Sequence, residues 1–227
     1  MHSNKEQFKA KTIILAIGLS PRRLAIAGEQ EFNGKGVSYC ANCDGPLFRN
    51  KIVAIVGGGN AAFDAAEVMS KIAKQVYLIH RNEKFSAFDE IVDEVKRREN
   101  IKILVNSEIK EILGKEKVEK IKVLNNQTQE IKELEVQGVF IEVGRIANTD
   151  IVADMVKRDE KNQIVVDEKC ATTCPGIFAA GDVTQVPFKQ ITIACGQGTI
   201  AALAAYQYLQ LKQGKMGVIL DRSVKKK

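Results

Sequence analysis

Gly57-Gly58-Gly59-Asn60-Ala61-Ala62 stands between an apolar run, Lys51-Ile-Val-Ala-Ile-Val56, and a segment of helical character reaching about Lys74. A second apolar run, Gln75-Val-Tyr-Leu-Ile79, follows. Strand, glycine turn, helix and strand in this order make a βαβ unit, whose strands lie parallel in one sheet. The fold class is therefore α/β. In this setting Gly57-x-Gly59-x-x-Ala62 reads as a dinucleotide seat. Gly57 permits the tight turn, Gly59 lets the backbone approach a pyrophosphate, and Ala62 lets the helix lie close on the strand. The free amides at the helix start, around Asn60 and Ala61, face the phosphates. The competing reading is a glycine turn used only for packing.

The end of the next strand sets the choice of nucleotide. An acid there would hold a ribose 2′-hydroxyl and indicate NAD. This strand ends in His80-Arg81 instead. The planar donors of Arg81 grip phosphate oxygens in pairs, which favours NADP. Arg81 as an ordinary surface arginine and His80 as a structural residue are the bland alternatives.

Around this unit, Thr12 to Ile17 reads as a buried strand ended by Gly18 and Pro21, and residues 22–38 are loop-like. Phe88, Ile91, Val92 and Val95 recur with helical spacing, with Asp93–Arg97 and Glu94–Arg98 paired on the wet side. Ile101 to Val105 is another strand. Residues 108–136 read as an antiparallel meander with turns near Gly114 and Asn125-Asn126. Gly138 to Val143 returns to a buried strand, and a domain boundary falls near Gly144. Beyond it come short apolar runs at Ile164 and Gly176, then a helix from about Gly196 to Leu211.

The 227 residues, 45% of them apolar, suffice for one large domain or two modest ones. Lysine and arginine number 34 against 28 acids, but the charges are scattered and aromatics are only 6%. That is a solvated mixed surface rather than a nucleic-acid stripe, and Lys225-Lys226-Lys227 reads as a frayed end. No apolar run is long enough to span a membrane, and no signal peptide is recognisable. A cytoplasmic protein is expected.

Cys40-Ala-Asn-Cys43-Asp44 precedes the glycine turn. Two cysteines at this spacing form a readily exchanged disulfide, and the motif often lowers one thiol's pKa. Asp44 can move a proton as the sulfurs change state. Zinc is the competing reading. A closed zinc site needs four ligands, and Cys170, Cys174, Cys195, His2 and His80 form no familiar ribbon with the pair. No metal is expected. Cys170 and Cys174 read as incidental loop residues, and Cys195 as a small buried hydrophobe.

Together, Gly36-Val-Ser-Tyr-Cys-Ala-Asn-Cys-Asp-Gly45, the Gly57–Ala62 turn, His80-Arg81, Gly176-Ile-Phe-Ala-Ala-Gly-Asp-Val183 and Lys189-Gln190-Ile191 resemble the low-molecular-weight thioredoxin reductases. The resemblance runs from about residue 10 to 210. It implies two Rossmann-like domains, an NADPH domain of residues 23–145 inserted into an FAD domain of residues 1–22 and 146–227. Gly181, Asp182 and Val183 then belong to the flavin site, with Asp182 holding the ribityl chain. Lys189, Gln190 and Ile191 lie beside the isoalloxazine ring, and the final helix points its positive end there. The implied reaction carries a hydride from NADPH to FAD, then electrons to the Cys40–Cys43 disulfide and on to a thioredoxin-like protein. Cys43 is expected nearer the ring, with Asp44 supplying a proton. A homodimer is implied, with hinges near Arg22–Leu24 and Gly144–Asn148.

Two departures stand out. The family's FAD domain opens with its own glycine fingerprint, in a βαβ unit of at least ~30 residues, and none precedes Thr12. The chain thus reads as a fragment or a truncated product, with weak FAD binding and poor solubility expected. In addition, Asn82 and Ser86 stand where the family commonly shows arginines, which puts NADPH selectivity in question. The other functional readings are a flavoprotein that feeds a peroxidase and a non-catalytic dinucleotide-binding module. Ferredoxin-type reductases of similar fold lack the cysteine pair.

Overall fold

The computed structural model describes residues 8–215. His2 and the tail Lys225–Lys227 lie outside them. Along the chain come β1 (Ile13–Leu15), β2 (Ser20–Pro21), β3 (Val37–Ser38), α1 (Ala41–Asp44), β4 (Ile52–Val56), α2 (Asn60–Ser70), β5 (Gln75–Ile79) and α3 (Asp89–Lys96). Then follow β6 (Ile101–Leu104), β7 (Ser107–Gly114), β8 (Val118–Asn125), β9 (Ile131–Glu135), β10 (Gly138–Ile141), β11 (Arg145–Ile146), β12 (Ile177–Ala179) and α4 (Ile191–Lys212). They divide into a central unit, Pro21–Arg145, and a flanking unit, Met1–Ser20 with Ile146–Lys227.

The central unit is built on a five-stranded sheet in the order β3-β10-β4-β5-β6, with every pairing parallel. β4 and β5 align from Ile52 opposite Gln75 to Val56 opposite Ile79. Alternate residues of β4 serve two cores. Val53 and Ile55 pack with Phe63, Met69 and Phe140 on the helix side. Ala54 and Val56 pack with Ile109, Ile112 and Ile121 on the other. That second face is covered by the antiparallel meander β7-β8-β9. Burial on both faces is why β4 reads as an unbroken apolar run instead of an alternating one.

α2 stops at Ser70, short of Lys74, because Asn100 Nδ2 donates to the carbonyls of Ser70 at 2.8 Å and Ala73 at 3.3 Å. α3 buries Val92 and Val95, and Arg98 pairs with Glu94 at 3.0 Å. Phe88, expected on the apolar face, is the N-cap of α3 and lies 65% exposed. Its N–H is held by Asn60 Oδ1 at 2.9 Å, so the helix turns inward only after it.

In the flanking unit β1 pairs in parallel with β12, Ile13 opposite Ile177 and Leu15 opposite Ala179. Leu15, Val156, Ile164, Ile177 and Ala179 form one cluster. Phe178 and Ala180 turn to the other side and meet Ala201 and Ala205 of α4. The buried strand expected over Thr12–Ile17 is shorter and wetter: Leu15 is buried, whereas Ile14 and Ile17 are 41% and 47% exposed. A two-stranded sheet covers less of each strand than a five-stranded one. α4 begins at Ile191 rather than near Gly196, since Gly196 and Gly198 lie inside its regular course. β2 and β11, where the chain passes between the units, pair with one another.

Candidate functional site

Cys40 and Cys43 are joined as a disulfide, with Cα atoms 5.3 Å apart. Cys40 ends the loop that follows β3 and caps α1, and Cys43 N–H donates to its Sγ at 3.2 Å. Cys43 is exposed and Cys40 half-buried. Ser38 organises the turn. Its hydroxyl donates to Asp44 Oδ2 at 2.6 Å and accepts the Cys40 N–H at 3.1 Å. Asp44 thus sits one residue beyond the disulfide with its carboxylate fixed. Upstream, buried Glu29 accepts the N–H groups of Leu24 at 3.1 Å and Ala25 at 2.7 Å, and the Tyr39 hydroxyl at 2.7 Å. Burial and this bond to Glu29 push the Tyr39 phenol up to about 12.

The glycine turn lies at the carboxyl ends of the same sheet, where open α/β sheets take their ligands. Gly57 has φ +151°, and a Cβ there would run into the Glu142 carbonyl and come within 2.7 Å of Ala62 Cβ. Glycine at 57 and alanine at 62 are thus both required for helix and strand to approach so closely. Gly59 is the N-cap of α2, and no side chain caps it. The N–H groups of Asn60 and Ala61 have no carbonyl four residues back within the helix. The Asn60 side chain is committed elsewhere, to Phe88, so this residue offers the turn only its backbone.

His80 serves the turn structurally. Its ring fills the space a Cβ on Gly58 would need, and its Nε2 lies 3.0 Å from Lys84 O. Arg81 is exposed at the end of β5, where its carbonyl accepts Asn126 Nδ2 at 3.2 Å. Ser86 was not recognised from sequence as part of the turn. Its N–H donates to Gly58 O at 2.8 Å and its hydroxyl at 3.3 Å, closing the following loop onto the glycines. Pairing across distant segments left no sequence signal for it.

The flanking unit holds a separate cavity of about 340 Å³, lined by Gly18, Gly181, Asp182, Lys189, Gln190 and Ile191 among others. Gly181 has φ +78°, and its N–H donates to Gln197 Oε1 at 2.8 Å. Gln197, also missed from sequence, accepts the Thr184 hydroxyl at 3.2 Å as well. Val183 is buried, and its carbonyl accepts Ile164 N–H at 2.8 Å. Lys189 Nζ donates to Gln163 Oε1 at 2.5 Å, Thr184 O at 2.7 Å and Asp182 O at 3.0 Å. Burial lowers its pKa from the ordinary lysine value, while the Asp182 carboxylate pulls it back up. Gln190 is the N-cap of α4 and Ile191 its first residue, 83% exposed.

Of the other cysteines, Cys170 is buried, and both burial and Asp167 raise its thiol pKa. Cys195, expected in the interior, is exposed instead, because the α4 residues that turn inward are Ala201 and Ala205. No helix among the described residues is long and apolar enough to cross a membrane.

Comparison with known proteins matches residues 1–198 to the family described as pyridine nucleotide-disulphide oxidoreductase. The chain is 42% identical over 202 residues to the F component of the alkyl hydroperoxide reductase of Pseudomonas putida, a match that covers 88% of this chain and 39% of that protein. It superposes on a thioredoxin reductase of Lactococcus lactis with a TM-score of 0.76 at 38% identity, covering 91% of this chain and 68% of the other. For the T. acidophilum thioredoxin reductase the TM-score is 0.73 at 42% identity, with coverage of 89% and 67%. The chain spans about two fifths of the length of the first curated relatives it matches.

FAD and NADPH are the cofactors of such reductases. The residues present fit a pyrophosphate at the Gly57–Ala62 cradle, where uncapped amides meet a close-packed turn. They also fit the ring end of a flavin in the small-residue cavity beside Asp182 and Lys189. The fold, the closed cysteine pair and these matches agree, and the chain belongs to the pyridine nucleotide-disulphide oxidoreductase family.

Proposed function

We propose that the whole protein is an NADPH-dependent thioredoxin-disulfide reductase with Cys40–Cys43 as its redox pair. One observation carries this reading: the Cys40–Cys43 disulfide and the Gly57–Ala62 turn occupy the carboxyl edge of one sheet, at strands separated only by β10. Residues 23–145 would bind the nucleotide, with the amides of Asn60 and Ala61 on the pyrophosphate and Arg81 on the 2′-phosphate. Residues 1–22 and 146–227 would bind FAD, with Asp182 orienting the ribityl chain and Gln190 and Ile191 lining the ring. When bound, FAD supplies the two-electron relay between nicotinamide and disulfide. Exposed Cys43 is placed to be approached, Asp44 holds a proton for the opened pair, and a thioredoxin-like protein accepts the electrons by exchange. A homodimer in the cytoplasm belongs to the same reading and rests on the resemblance.

The decisive experiment replaces Cys40 and Cys43 with serine in the whole protein supplied with FAD. Nicotinamide oxidation with a thioredoxin-like acceptor should fall to background, and undiminished turnover would end the proposal. Arg81→Ala should reduce the preference for NADPH over NADH, read from the ratio of kcat/KM values. A second reading is favoured by the relatives named as alkyl hydroperoxide reductase components, namely delivery of electrons to a peroxidase. Turnover measured side by side with a thioredoxin-like protein and a peroxiredoxin separates the two. A purified chain that binds nucleotide but never flavin would instead be a non-catalytic binding module.

A further inference from the structure

Three loops stand side by side at the carboxyl edge of the central sheet. β3 runs into Cys40, β10 into Glu142 and β4 into Gly57, and β10 is the middle strand of the three. Glu142 is pinned there by its own N–H, which donates to Val56 O at 2.8 Å, and its carbonyl fills the space beside Gly57. Successive side chains of a strand alternate between faces. Glu142 therefore shares the face of Phe140, which packs with Ala41 and Phe63 on the helix side. The parallel register pairs Phe140 with Ser38, so Glu142, two residues on, comes level with Cys40. Its carboxyl is half-buried, and the Ala41 N–H, next along from Cys40, helps hold its pKa down.

Asp44, on α1, has one carboxylate oxygen bound to Ser38. Arg145, in β11, is the cation beside Glu142. Burial raises the Glu142 carboxyl above the ordinary glutamate value, while Arg145 and the Ala41 N–H pull it down.

We propose that Glu142 is a positioning residue for the dithiol, its carboxyl setting the local charge against which the reduced Cys40–Cys43 pair ionises. The inference deepens the reductase reading and rests on the redox role that reading gives the pair. Opening the disulfide takes two electrons and two protons. With dithiothreitol as reductant, the Cys40–Cys43 bond breaks, the two reductant sulfurs join in a ring, and their two protons end on the protein thiols. Loss of one of these protons to water gives the attacking thiolate. A Glu142 carboxylate opposes that loss, whereas a protonated or amidated side chain does not.

The test uses the full chain, reduced with dithiothreitol, freed of reductant and alkylated with iodoacetamide across pH. Mass spectrometry follows the peptide holding Cys40 and Cys43, which separates it from Cys170, Cys174 and Cys195. Glu142→Gln should move the ionisation of the more reactive thiol down by about half to one pH unit. Part of the gain in thiolate is offset by lower nucleophilicity, so alkylation at pH 7 should rise about two- to fourfold. Glu142→Asp keeps the charge and should retain a profile near wild type. Glu142→Ala serves as the second uncharged variant if the glutamine form does not fold.

Superposable profiles for the uncharged variant and wild type would overturn the proposal. So would an aspartate profile displaced as far as the glutamine one, since packing would then be the cause. The measurement needs no flavin, nucleotide or protein acceptor. A shift without turnover would sustain Glu142's effect on thiol ionisation and remove the reductase reading; turnover without a shift would do the reverse.

Discussion

The central unit and the flanking unit both rest on parallel strands, yet they bury them to different degrees. β4 in the centre has a neighbour on each side and a covered surface on each face, leaving Val53, Ala54 and Ile55 fully buried. β1 in the flanking unit pairs with β12 in a sheet of two, and Ile14 at its middle is 41% exposed. Ile200, Leu203 and Tyr206 of α4 are also exposed, at 42%, 43% and 51%. A parallel strand pair gains stability chiefly when layers close over both faces. The central unit therefore has the means to be the rigid part of the molecule. The flanking unit carries its cavity on a thinner frame.

Truncation of Phe140, fully buried against Phe48, should be the most damaging test of this contrast. Phe140→Ala should cost about 3–5 kcal/mol, read from urea denaturation of the central unit. A markedly smaller loss would mean that the central core is looser than its burial suggests.

Hydrogen exchange sharpens the comparison next. Amides of β4 and β5 should exchange only with near-global opening, and those of β1 and β12 through smaller local openings. Equal protection in both sheets would erase the distinction. Leu203→Ser, at an exposed site on α4, should shift stability by no more than about 0.5 kcal/mol while lowering binding of a hydrophobic dye.

The smallest effect concerns pH. The folded-state pKa of Glu142 is raised, so the stability its proton contributes is complete below the ordinary glutamate value. That stability is lost as pH rises through the raised value. Glu142→Gln has no such loss, so its melting midpoint should gain on wild type as pH climbs through that window. A constant difference would remove the burial effect.

Local signals carried much of this structure. The βαβ unit, the meander turns and the cysteine pair each depend on residues close in sequence, and each was legible. What escaped depends on pairing across distance. Glu142 comes level with Cys40 only because β10 inserts between β3 and β4. Ser86 reaches Gly58 only because the loop after β5 folds back over the turn. Cys195 read as interior from its apolar neighbours, but only a docked helix decides which face is inward. Gly196 suggested a helix start, yet α4 runs from Ile191 straight through it.

Lys189 has one more consequence. An ammonium carries three protons, and here each already has an oxygen, on Gln163, Asp182 and Thr184. A guest entering the neighbouring cavity would feel its positive field without finding a vacant donor. Selectivity on that side would then favour electron-rich guests by potential rather than by a bond, unless the strut itself were first unfastened.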